Sequence, residues 1–234
     1  MSRRPRYTDF PRTILWLVPG GRTIVGGDEP DSCPVLEAAV EPFYLSKWPI
    51  TNEQFEAFDP AFERAPHSPG DRDTAVGVSY VAAAEYCRWY AQVSRKPMRL
   101  PTEVEWEHAC RAGATGRWYW GDDEGAADEH LLDARNWHGR LEGLDRSRGN
   151  GFGLQAMLGG VWEWTASPWR GCPLEDCRPA VVTTDPVATP EGARVLRGGS
   201  FRIDRSVISC SLRRSGSPDL RADDIGFRVA KSFR

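Results

Sequence analysis

The last third of the chain carries fixed glycine and tryptophan punctuation around a stretch with no regular pattern. The runs are Gly159-Gly-Val-Trp-Glu-Trp164, Arg197-Gly-Gly-Ser200 and Ile225-Gly-Phe-Arg228. Between the last two, Arg205-Ser-Val-Ile-Ser-Cys-Ser-Leu-Arg-Arg214 is neither an amphipathic helix nor an alternating strand. A rigid frame around an irregular segment is how a scaffold presents a binding or catalytic surface.

The 234 residues suffice for a substantial core, and the hydrophobic (40%) and charged (27%) fractions are those of an ordinary globular protein. A net charge of −3 gives no electrostatic case for nucleic acid or an anionic membrane. Basic residues are lopsided, 27 Arg to 3 Lys. Genomic base composition and a need for planar donors both account for that. No apolar run approaches the roughly 20 residues of a membrane span. Ile14–Val18 reads as a first strand rather than a secretory signal. The cysteines at 33, 87, 110, 172, 177 and 210 include no Cys-x-x-Cys pair, which argues against zinc and for reduced thiols in a cytoplasmic protein.

Glycine and proline are spread throughout and predict many short elements. Val35–Tyr44 is strand-like. Thr51-Asn52 caps a short helix carrying Phe55 and Phe58. Ser79 caps a second helix, Val81–Val93, whose inward face is Ala84, Cys87, Trp89 and Tyr90. A third begins at Thr102, with Glu105 completing a capping box, Trp106, Ala109 and Cys110 as the buried stripe, and Gly113 as the stop. Residues 116–160 read as long loops pinned by Trp118, Trp120 and Trp137. Cys172–Gly192 reads as a surface excursion. Val195-Leu196 and Phe227–Val229 read as paired closing strands. The expectation is one α+β domain over residues 1–234.

Several short motifs occur in chain order: Pro49-Ile-Thr-Asn52, Val78-Ser-Tyr80, Arg99-Leu-Pro-Thr-Glu103, Glu105-Trp106, Tyr119-Trp-Gly121, Gly153-Leu154, Trp162-Glu-Trp164, Arg197-Gly-Gly-Ser200 and Gly226-Phe-Arg228. Together they resemble the formylglycine-generating-enzyme-like family, a variant of the C-type lectin fold. That family contains copper-dependent sulfatase-activating oxidases, domains of iron-dependent sulfoxide synthases and non-catalytic binding proteins, so fold alone does not settle function. The resemblance places the oxidases' redox-active cysteine pair at Ile203 and Ile208. Isoleucine neither binds Cu(I) nor forms a disulfide. Cys210 stands apart and reads as a small buried hydrophobe. The four histidines, 67, 108, 130 and 138, lack paired ligand spacing. Where relatives carry an acidic or amide calcium ligand, this chain has Ala156 and Gly160. Glu163 is then expected to pair with backbone N–H groups or an arginine. Asn136-Trp137 resembles part of a second calcium site with a shortened loop. No cofactor, metal or catalytic residue is expected.

The segment also resembles the variable proteins of diversity-generating retroelements, whose C-terminal segment is copied with template adenines randomised. Its frame would be Gly198–Ser200, Arg213, Pro218-Asp219, Arg221 and Ile225–Arg228, with the variable part over about 201–224. Randomised asparagine codons would fall on Arg202, Ile203, Asp204, Val207, Leu212, Arg214, Gly216, Ser217, Leu220, Ala222, Asp223 and Asp224. Such codons cannot yield Lys, Glu, Gln, Met or Trp. These types number 35 in the chain but none occurs in the 29 residues Phe201–Val229, where average usage gives about four. An ordinary ligand loop in an arginine-rich protein also fits that composition. The resulting expectation is one exposed patch that binds an unidentified protein or other macromolecular ligand, with Ile203 exposed and Ile208 buried. The alternatives are a metal-dependent oxidoreductase with unusual ligands and a regulatory pseudoenzyme.

Overall fold

A computed structural model describes residues 12–27, 35–141, 147–170 and 192–233. In chain order the elements are β1 (Leu15–Val18), β2 (Gly21–Val25), β3 (Leu36–Val40), β4 (Phe43–Ser46), α1 (Asn52–Glu56), α2 (Tyr80–Ser94), β5 (Met98–Arg99), α3 (Glu103–Arg111), α4 (Ala127–His130), β6 (Trp162–Pro168), β7 (Arg194–Arg197), β8 (Arg213–Gly216), β9 (Ile225–Phe227) and β10 (Ala230–Ser232). They build one four-stranded sheet of order β1-β4-β10-β5, a β2-β3 hairpin, and a second four-stranded sheet of order β8-β7-β6-β9. Short helices and mostly antiparallel short strands make this α+β, as expected.

The capping signals act as read. Ser79 Oγ accepts from the Ala82 N–H at 3.2 Å and starts α2. Thr102 and Glu105 exchange side-chain and backbone bonds at 3.2 and 2.8 Å and start α3. Ala112 and Gly113 take left-handed φ of 48° and 91° and end α3. The buried face of α2 is Tyr80, Ala83, Tyr86, Cys87 and Tyr90, whereas Ala84 and Trp89 are only half-buried. The face turns this way because Tyr86 packs against Phe55 and Phe227, with ring centres 5.8 and 5.3 Å away. Phe58 lies just past α1 and packs on Phe55.

Trp106, Ala109 and Cys110 are fully buried on α3, but so are Glu105, Glu107, His108 and Arg111. The stripe expected from sequence is too narrow because the β2-β3 hairpin covers the helix's polar side. The Gly26 N–H donates to Glu107 at 2.9 Å, Arg111 donates to the Gly26 carbonyl at 2.8 Å, and His108 Nε2 donates to the Pro19 carbonyl at 2.8 Å.

The closing strands are not paired as read. β6 lies between β7 and β9, antiparallel to the first and parallel to the second. A buried arginine, Arg228, holds these pieces together. Arg228 Nε donates to both Glu163 oxygens at 2.9 Å, and Trp106 Nε1 donates to Glu163 at 2.7 Å. The remaining Arg228 donors reach the carbonyls of Ser46, Lys47, Gln155 and Ala156. Glu163 therefore pairs with an arginine, as its neighbourhood implied. Burial pushes its carboxyl up, against the opposing pull of Arg228.

Removing one partner of a buried pair leaves an unpaired charge and costs about 3–5 kcal/mol. Arg228→Met is expected to lose at least that in urea unfolding, and more than Glu163→Gln, because it also strands four carbonyls. Equal losses would mean that those carbonyl bonds contribute nothing. Trp106→Ala is expected to cost about 3–5 kcal/mol as a buried aromatic.

Candidate functional site

The irregular segment leaves β7 at Gly198-Gly-Ser200, turns through Phe201–Leu212, forms β8 and returns through Ser217–Asp224 to β9. Its start is tight. Gly199 has φ of +76°, and a Cβ there would lie 2.9 Å from Ile208 Cγ1. Only glycine fits both constraints.

The base of the segment is bolted to the scaffold by charge-assisted bonds. Arg197, fully buried, donates to Glu107 at 2.5 Å and to the carbonyls of Cys210, Ser211 and Leu212 at 2.7–2.9 Å. Arg205 is nearly buried and forks onto Asp133, whose own exposure is 0%. The Arg205 Nε distance is 2.7 Å, and a further donor reaches Asp128 at 2.5 Å. Arg135 forks onto Asp204 with two bonds of 2.8 Å. Arg117 and Trp118 donate to the Ile208 carbonyl at 3.2 and 2.8 Å. These arginine partners hold Asp204 and Asp128 below the usual carboxylate range.

Among the expected variable positions, Arg202, Val207, Arg214, Ser217 and Asp223 are exposed, and Ile203, Asp204, Leu220 and Ala222 are half-buried. Ile203 is thus less open than expected, because its carbonyl accepts from the Ala134 N–H at 3.0 Å and its side chain packs on the core. Ile208 is fully buried. Leu212, Gly216 and Asp224 are buried, contrary to their reading as surface positions. Leu212 fills the core beside Arg197. A Cβ on Gly216 would lie 2.6 Å from Trp164. Asp224 clamps the segment's mouth by accepting from Ser200 Oγ at 2.7 Å while its carbonyl accepts from the Trp162 N–H at 2.9 Å. Two frame positions, Asp219 and Arg221, are exposed instead.

The Arg202–Asp223 ion pair, at 2.7 Å, brings the two halves of the segment together. Beneath it lies an aromatic cluster that sequence reasoning missed. Phe201 stacks on Trp137 with centres 4.0 Å apart, Arg202 lies over Phe201 at 4.9 Å, and His67 packs against both rings. His67 Nε2 donates to the Asp223 carbonyl at 2.8 Å. His67, Trp137 and Arg202 keep part of their surface, so the site has aromatic and guanidinium anchors beside paired charges. Nothing local in the sequence joins residues 67, 137, 202 and 223.

Neither calcium-like motif offers a free ligand set. The carbonyls at 155–156 and both Glu163 oxygens are taken by Arg228 and Trp106. Asn136 accepts from the Asp133 N–H and donates to Asp128 and the Leu131 carbonyl. Among the described residues no three His, Cys, Asp or Glu side chains gather as a metal group. The expected excursion over Cys172–Gly192 lies, apart from Gly192, outside the described residues.

The domain model for sulfatase-modifying factor enzyme 1-like proteins matches residues 2–233. The chain belongs to that family. It is 27% identical to the formylglycine-generating enzyme of Bos taurus over 94% of this chain and 75% of that protein. It is 28% identical to the inactive C-alpha-formylglycine-generating enzyme 2 of Bos taurus, over 91% of this chain and 86% of that protein. In structure it resembles PvdO from Pseudomonas aeruginosa (TM-score 0.81, 23% identity, 94% of each chain). It equally resembles Treponema denticola variable protein 1 (TM-score 0.81, 19% identity, 93% and 94% covered). The fold is the formylglycine-generating-enzyme form of the C-type lectin fold. The family therefore holds both enzymes and proteins named inactive, and the residues of this chain must separate them. Among the described residues no helix is long and apolar enough to cross a membrane.

Two outcomes test the site. Leu212→Ala is expected to cost about 2–5 kcal/mol in urea unfolding, while Arg202→Ala, Val207→Ala and Ser217→Ala stay within about 0.5 kcal/mol. Similar losses in both groups would remove the distinction between base and surface. The second outcome concerns pH. Because the native pKa values of Asp204 and Asp128 are depressed, their ion pairs contribute fully above the unfolded value of about 3.9 and are lost as pH falls through the native values. The Ser206 amide, bonded to Asp204 at 2.9 Å, is expected to lose hydrogen-exchange protection on acidification before the Cys210 amide, bonded to the Arg117 carbonyl. Simultaneous loss would mean that these carboxylates do not anchor the loop separately.

Proposed function

We propose that this protein is a ligand-binding member of its family that displays residues 202–223 to a protein or other macromolecule, in the manner of a retroelement-diversified variable protein. The observation that carries the reading is compositional. Lys, Glu, Gln, Met and Trp are missing from Phe201–Val229, and randomised asparagine codons cannot encode any of them. Physical support comes from the division of labour within the segment. Its base is fixed by Arg197, Arg205 and Asp224, so side chains such as Arg202, Val207, Arg214 and Ser217 change without disturbing the core. Arginine and aromatic groups beside paired charges suit a protein surface better than a deep small-molecule pocket. The likeness to Treponema denticola variable protein 1 adds that this backbone arrangement serves a protein of that name.

A second reading, oxidation of a substrate cysteine, is favoured by the relatives named formylglycine-generating enzymes. Against it stand Ile203 and Ile208 at the positions where the resemblance places the copper-binding cysteines. Ile208 is packed on Gly199 without exposed surface.

Two measurements separate the readings. DNA flanking the gene is expected to hold a near-identical repeat of the segment differing only at adenines, beside a reverse transcriptase gene. Elemental analysis of purified protein is expected to find copper and iron well below one per chain. One copper per chain, with turnover of a cysteine peptide, would establish the oxidase reading instead.

A further inference from the structure

The β2-β3 hairpin pairs with no other strand among the described residues, so β2 keeps an open edge. Side chains of α3 hold the backbone just beyond both ends of β2. His108 donates to the Pro19 carbonyl, and Glu107 and Arg111 bond the N–H and carbonyl of Gly26. Between these points, one described backbone contact lies outside the β2-β3 ladder. It runs from the Thr23 hydroxyl to the Ile24 carbonyl, at 3.3 Å.

A cavity of about 450 Å³ lies beside β2. One wall is the unbroken run of residues 19–24, and His108, Thr115 and Phe152 stand in the other. The run fixes the direction of the cavity. Gly21 and Thr23 stand opposite Val40 and Ala38, which are buried, so these positions face inward. Arg22 and Ile24 then face outward. Residues of both faces line the cavity, so it follows the edge of the strand.

The lining narrows what fits there. Its only charged side chains, Arg22 and Glu37, pair with each other at 3.6 Å, so nothing in it calls for an ionic group. Ile24 and Phe152 add apolar surface. His108 is 5% exposed, and its Nδ1 has no partner. A strand edge presents alternating N–H and C=O groups. Another extended backbone supplies the matching groups at the same spacing.

We propose that the β2 edge is a strand-addition site that takes an uncharged, extended segment of a partner protein. The segment extends the hairpin to three strands, and its inward side chains fill the space before His108 and Phe152. The cavity shares no lining residue with the segment 202–223, so this inference stands whether or not that surface binds a ligand.

The test adds the capped hexapeptide Val-Leu-Thr-Ala-Ala-Val to the full chain and follows hydrogen exchange by NMR. The peptide carries the β3 sequence, which already pairs with β2, with threonine replacing Glu37 to remove the charge. Without peptide, alternate β2 amides are expected to exchange fast, because they face the open edge. With peptide, those amides are expected to slow several-fold, while the Trp106 amide inside α3 keeps its rate. Gly21→Phe is expected to abolish the slowing and leave the urea midpoint little changed. A Cβ at Gly21 meets nothing within 4 Å, so the added ring fills the groove and spares the core. Thr115→Trp blocks the opposite wall and serves if Gly21→Phe does not fold. Unchanged β2 exchange up to the solubility limit of the peptide would overturn the proposal. So would slowing that both variants retain, or shifts at His108 and Phe152 without slowing in β2, which would make the cavity a small-ligand pocket. A dimer in sedimentation equilibrium that Gly21→Phe dissolves would assign the edge to a second copy of this chain instead.

Discussion

The fold depends on the buried arginine–carboxylate contacts made by Arg228 and Arg197. A chain of short strands and long loops has many carbonyls that no sheet ladder satisfies, and each is costly to bury unpaired. A guanidinium offers five donors in one plane. Arg228 spends two contacts on Glu163 and the rest on carbonyls from two distant stretches of chain, up to 182 residues away. Arg197 does the same for the base of the irregular segment. Glu163 and Glu107 neutralise these cations, and Trp106 completes the first pair while Arg197 lies over its ring at 5.4 Å. The two pairs thus share α3 as their common wall.

This arrangement explains how one scaffold holds an irregular segment in order. Order comes from contacts to the segment's backbone carbonyls, which are independent of side-chain identity. Only where a side chain itself joins the anchor, as with Arg205 on Asp133 or Asp224 on Ser200, is the residue type tied down. The surface that results carries charge that is already paired, Arg202 with Asp223 and Asp204 with Arg135. These paired charges are a preorganised array rather than free ions. The heavy use of arginine over lysine has a structural use here, since these nodes need planar forks that an ammonium does not provide.

The sequence by itself determined the local starts and stops and the family frame. Thr102 with Glu105, Ser79, and the left-handed turn at Ala112-Gly113 act over a few residues, so they are legible without any tertiary knowledge. The burial of Trp106 and Ile208 was legible too, the first from its place on the apolar stripe of α3 and the second as a fixed position within the segment. The ends of the irregular segment were legible too, because its bracketing glycine runs are written in one stretch of chain. Tertiary structure decided everything that joins distant residues. It put β6 between strands that looked like neighbours and covered the polar side of α3 with a hairpin. It buried Leu212, Gly216 and Asp224 within a segment whose pattern implied surface. It also set Cys210, which in sequence stands by itself, against Cys110, and gathered His67, Trp137, Phe201 and Arg202 into one cluster. The physical reason is common to these cases. Burial and pairing at an irregular position depend on which remote groups fill the space around it, and no local period encodes that.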